Sequence, residues 1–160
     1  MSASRPSIGP RNRSGRPRAT SGRRGTGFDL LCDSDGTVVF GWACPAVFYT
    51  RFEGGLTSLT GHAYATRLGA LVAQTDGVSF FCDSSRLKQY DLLARSAFVR
   101  VVLAHRCKFT SITMLTWAEG ISLATKALVE TLGDPIDVLT DIALFEARLL
   151  KAAPQSRRKL

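Results

Sequence analysis

The sequence has no long hydrophobic run, no closely spaced cysteine pair, only two histidines, and no acidic residue in its first 27 positions. Each shortage excludes something. A membrane-crossing helix needs about 18–20 consecutive apolar residues. The most apolar stretch here, 38–49, is broken by Pro45 and by small residues, so no membrane span is predicted. A secretory leader places an apolar segment directly behind a basic start. Here the first apolar cluster opens only at Phe28, and the chain is read as cytoplasmic. The Arg- and Ser-rich start matches a transit peptide in composition alone, because Gly, Pro and Ser interrupt any amphipathic face.

Cys32, Cys44, Cys82 and Cys107 stand far apart, and the first three sit in the apolar runs FDLLC, FGWAC and VSFFC. A domain of this length builds its own core without disulfides, so reduced thiols packed as small hydrophobes are expected. His105-x-Cys107 is the only local hint of a metal site, and it lacks the paired spacing such a site needs. No phosphate-binding glycine loop, dinucleotide fingerprint or nucleophile elbow occurs. The glycines of 22–27 precede the first apolar run rather than joining a strand to a helix, so they fail the context a phosphate cradle requires. His62 and His105 have no partner evident in the sequence. No cofactor is expected, and the chain reads as non-enzymatic.

What is present is a segregated charge. Residues 1–27 carry seven arginines and no acid, and residues 151–160 carry four basic groups. The segment between holds ten basic and thirteen acidic residues, a net −3 beneath an overall +8. With 160 residues and 45% hydrophobic content, the chain fits one domain over 28–150, between a disordered basic tail at 1–27 and a short basic tail at 151–160.

Within that domain the pattern alternates. Runs 28–32 and 37–43 flank the turn signal Asp33-Ser34-Asp35-Gly36 and predict a β-hairpin whose second strand Pro45 ends. A helix follows over 57–73, with Gly61 and Gly69 weakening it. A strand over 78–82 leads through a polar loop to a helix over 91–106. A strand over 111–115 precedes a helix over 116–132, which Thr116-x-x-Glu119 caps and Gly133 stops. A short strand over 136–139 and a helix capped by Asp141 complete the order. The fold class is therefore α/β: a hairpin, then alternating helices and strands, in a mostly parallel sheet covered by helices.

Ligands meet such sheets at the carboxyl ends of the strands. That edge would present Asp83, Ser84, Ser85 and Asp91 beside Trp117 and Glu119, either as a partner or ligand edge or simply as helix caps. The run Phe80-Phe81-Cys82-Asp83, followed by Tyr90-Asp91, resembles the STAS domain of anti-sigma-factor antagonists. In that family a strand ends in Asp, and eight residues later a second Asp opens the next helix. Asp83 and Asp91 match those positions. The family's phosphorylated Ser follows the second Asp, where this chain has Leu92 without the usual following Gly. The resemblance spans about 28–150 and implies a small non-catalytic domain without that phosphoswitch. Such a domain docks proteins, or binds a nucleotide or lipid-like ligand.

The rival reading lies in the tail. Ser14-Gly15-Arg16-Pro17-Arg18 resembles the Gly-Arg-Pro core of an AT-hook, with Ser14 where an Arg usually stands. Arg11, Arg13, Arg16, Arg18, Arg23 and Arg24 would bind phosphates by counterion release whether or not a groove is read. The expected role is regulatory or scaffolding docking of a protein partner, with nucleic-acid association or a small-molecule ligand as alternatives.

Overall fold

The apolar sequence from Phe28 onward folds as strands and continues as such further than its pattern predicts. In the computed structural model, which describes residues 27–117, 126, 129–131, 133 and 136–153, three strands form an antiparallel meander. They are β1 (Phe28–Cys32), β2 (Gly36–Cys44) and β3 (Val47–Leu56). The expected turn joins the first two. The Asp33 carboxylate accepts the N–H groups of Asp35 and Gly36 at 2.8 and 3.1 Å. β3 is a correction. Pro45 ends β2 as expected, but in a two-residue turn with Ala46 that leads straight into this unpredicted strand, where its missing N–H costs no ladder bond.

The chain continues through α1 (Ser58–Ala73), β4 (Val78–Tyr90) and α2 (Leu92–Ala104). A 3-10 turn (Arg106–Lys108) leads into β5 (Phe109–Leu115), and β6 (Ile136–Leu139) precedes α3 (Ile142–Ala152). Of the helix expected over 116–132, residues 118–125, with Glu119, lie outside the described residues, while Lys126 and residues 129–131 are helical. Gly133 closes it as expected: its φ of 63° is left-handed, and its N–H donates to the Val129 carbonyl at 2.7 Å. The basic tails also fall outside the described residues, apart from residues 27 and 151–153.

The six described strands lie side by side in chain order. The β3–β4, β4–β5 and β5–β6 pairs are parallel. The loop expected over 83–91 is a second correction. β4 runs straight through it, because β3 is long enough to keep pairing with it, from Glu53 opposite Arg86 to Leu56 opposite Tyr90. β5 leaves β4 much earlier, at Leu115 opposite Asp83.

Alternate side chains point to opposite faces of the sheet. One face carries Val38, Phe40, Phe48, Phe52, Phe80, Cys82, Ile112 and Met114 under α1 and α2. At its centre the Phe80 ring lies 6.0 Å from Phe48, 6.1 Å from Phe98 and 6.0 Å from Phe109. The other face gathers Val47, Phe81, Leu115 and Leu139 beneath Phe145 and Leu149 of α3. Phe28 and Leu30 of the edge strand β1 stay exposed.

The cysteines divide accordingly. All four are free, but only Cys82 is buried, while Cys44 is half-buried and Cys32 and Cys107 are exposed. Cys32 escapes burial because it ends an edge strand.

Candidate docking site at the head of the second helix

Two local devices set the heads of α1 and α2 side by side. Thr57 caps α1 by accepting the Thr60 N–H at 3.2 Å, and its own hydroxyl donates to Asp33 at 2.7 Å. The Thr60 hydroxyl donates to the same Asp33 oxygen. The hairpin turn is thereby bound to the start of α1. Those hydroxyl donors, with the turn N–H groups, hold the Asp33 carboxyl well below the usual carboxylate range.

Asp91 performs the equivalent task for α2. Its carboxylate accepts the Leu93 N–H at 2.7 Å, and its backbone N–H donates to the Leu56 carbonyl at 2.9 Å, just ahead of α1. The helices then nearly touch. A Cβ added at Gly61 would lie 2.3 Å from the Ala94 Cβ. Leu59 lies two residues before this crossing, and Leu92 and Leu93 lie immediately before Ala94. They are 77%, 69% and 66% exposed, respectively.

The remaining candidates separate into two groups. Asp83, Ser84, Ser85 and Trp117 gather where β5 ends. Asp83 accepts the Tyr49 hydroxyl at 3.3 Å, the Ser85 N–H at 3.0 Å and the Ser85 hydroxyl at 2.6 Å. Burial, and then the Asp83 charge, push the Tyr49 phenol upward, so it stays protonated and donates. Ser84 is buried and donates to the Leu115 carbonyl at 2.8 Å, while Trp117 is half-exposed. Asp91 directly follows β4, six to eight residues beyond Ser85 and Asp83, about 20–26 Å away at strand rise. The expected single rim is therefore split, because β4 outruns β5. Arg11, Arg13, Arg16, Arg18, Arg23 and Arg24 lie outside the described residues.

The sequence reading missed the exposed leucines. Their signal was present in the Leu92-Leu93 pair, but an apolar pair at a helix start reads as core until the packing is known. Beside the split rim, Glu53 pairs with Arg51 and with Arg86, each at 3.1 Å. Among the described residues no group of three or more His, Cys, Asp or Glu is arranged to hold a metal ion. None of the helices there is long and apolar enough to cross a membrane.

Neither a protein-family model nor a curated protein matches the sequence. Among solved structures the chain is similar to a protein of the DUF3478 family with a SpoIIAA-like fold, from Shewanella loihica PV-4. The TM-score is 0.53 at 16% identity, covering 82% of this chain and 99% of that one. It is also similar to the anti-sigma factor antagonist SpoIIAA in its unphosphorylated form. There the TM-score is 0.49 at 11% identity, over 81% of this chain and 99% of that one. The first likeness, with the strand and helix order, shows that the chain has the STAS-like α/β fold.

Proposed function

We propose that this protein is a regulatory, non-catalytic domain that acts by docking a protein partner. One contrast carries the reading. The polar groups offered by the sequence are engaged within the fold: Asp83 with Tyr49 and Ser85, Ser84 with Leu115, and Asp91 with Leu93. The side chains left in water at the head of α2 are leucines. Surface leucines scattered singly are ordinary, but three about one helix crossing form the kind of patch that partners cover. Leu92 also stands where the STAS pattern places its phosphorylated Ser, so docking here would be constitutive rather than switched by phosphate. The cluster of Asp83, Ser85 and Trp117 is a second proposed contact.

The test is a native pull-down with the full-length protein, followed by crosslinking. A stoichiometric protein partner that tolerates replacement of the seven tail arginines by Gln supports docking. Recovery of nucleic acid alone, lost with those arginines, would overturn it in favour of the tail. The charge segregation favours that second reading, with a log–log salt slope near −4 to −5 if about four to six arginines engage duplex phosphates.

A further inference from the structure

Among the described residues one edge of the sheet is open. β1 pairs with β2 alone, and its Phe28 and Leu30 are 50% and 60% exposed. The turn that follows fixes which of its backbone groups point outward. The Asp33 N–H donates to the Gly36 carbonyl at 3.1 Å, so Asp33 and Gly36 face each other as a hydrogen-bonded pair. Such pairs alternate along an antiparallel ladder. Leu31 and Asp29 therefore bond to β2, while Phe28, Leu30 and Cys32 turn their N–H and C=O groups away from the sheet. Natural edges are commonly blunted by lysine, proline or a bulge. This one has none of them: it reads FDLLC, pairs in regular register and carries one charge, Asp29.

We propose that β1 pairs antiparallel with β1 of a second copy, about a two-fold axis at Leu30. In that register Leu30 faces its counterpart and Phe28 faces Cys32, so each outward N–H meets an outward carbonyl. Asp29 then falls opposite Leu31. An axis at Asp29 would set two carboxylates against each other, and an axis at Leu31 would push Phe28 past the end of the facing strand. The strand is thus complementary to itself in one register. The paired Phe28 and Leu30 side chains lie on the face that carries Tyr49, whose ring meets Phe28 with centroids 6.1 Å apart. The antiparallel direction also carries the segment ahead of Gly27, with Arg23 and Arg24, along the other copy's turn and its exposed Asp35. The chain's own preceding segment is the poorer occupant. Residues 21–25 include Gly22 and Gly25, which weaken a strand and would have to be ordered, whereas a second copy brings a strand already extended.

The test is sedimentation equilibrium of the full-length protein from about 1 μM to about 1 mM, because five residues from each copy make an interface below standard size. A reversible monomer–dimer equilibrium is expected within that range. Leu30→Lys sets two ammonium groups against each other and should raise the dissociation constant about tenfold or more. Leu30→Pro should act in the same direction by removing an outward N–H, while the β1–β2 ladder keeps its bonds. Leu30 is exposed, so the dilute Lys variant should unfold at the wild-type temperature. Phe28→Cys with a short thiol crosslinker reads the register: position 28 of one copy should join Cys32 of the other. In the wild type the two Cys32 side chains would stand about 14 Å apart at strand rise and should not join. A protein monomeric throughout the range, or a dimer that both Leu30 variants leave intact, would overturn the proposal. So would efficient crosslinking of wild-type Cys32 to its own counterpart. The measurement uses the purified protein alone, so a negative result leaves the docking reading standing.

Discussion

The two faces of the sheet are built from the same alternating strands and differ in what covers them. The α1/α2 face is sealed: Phe40, Phe48 and Phe80 are fully buried beneath Tyr64 and Leu68. A deep polar pair, Thr50 with Tyr64, is joined hydroxyl to hydroxyl at 2.8 Å. Among the described residues the α3 face holds the smaller cluster. Phe81 and Phe145 meet with ring centroids 5.7 Å apart, while Phe28 and Tyr49 make an edge contact nearer β1, where Phe28 is half-exposed. Among the described residues the larger core thus lies on the α1/α2 side of the sheet. The surface proposed for docking lies on the outer side of that well-anchored layer, where α2 is held rigidly enough to present leucines to water.

Phe80→Ala offers the harshest test of that contrast. Removing a fully buried ring that touches three others should cost about 3–5 kcal/mol in denaturant unfolding. Phe145→Ala deletes the same ring from the smaller cluster, where α3 can settle toward the sheet, and should fall at the low end of that range or below. A larger loss at Phe145 would reverse the ranking of the two faces.

A smaller effect is expected where α1 meets α2. Gly61→Ala gains helix propensity of about 1 kcal/mol. Its new methyl would nevertheless meet the Ala94 Cβ and, at 2.8 Å, the Ala94 Cα. Overpacking of this kind costs about 1–3 kcal/mol, so the net change should be destabilising. The added change Ala94→Gly should recover part of the loss. A stabilised Gly61→Ala protein would show that the helices separate without cost.

The mildest change concerns the clip between hairpin and α1. The Asp33 carboxyl is held low by its hydroxyl and N–H donors. A carboxyl depressed in the folded state contributes stability above its unfolded pKa, about 3.9, and loses it as pH falls toward the folded value. Acid unfolding curves should show that loss below about pH 4, and Asp33→Asn should lack this part of it. Identical acid limbs in both proteins would remove Asp33 as the clip.

Much of this architecture was legible from residue types alone. The Asp33–Gly36 turn, the Asp91 and Asp141 caps, the Gly133 stop and the class of the fold all follow from local chemistry that needs only neighbouring residues. The Leu144 N–H, for example, reaches Asp141 at 3.1 Å within a single turn. What local chemistry could not supply was the length of the pairing. Whether residues 83–90 form loop or strand depends on β3, some 35 positions earlier, and that strand was hidden behind Pro45. The split of the expected rim follows from the same long-range pairing, which carries Asp91 away from Asp83. Which apolar residues of α2 face water was likewise not legible, because Leu92 and Leu93 read as core like the buried Ala97 and Val102. Only the docking of Ala94 against Gly61 turned Leu92, Leu93 and Leu103 outward.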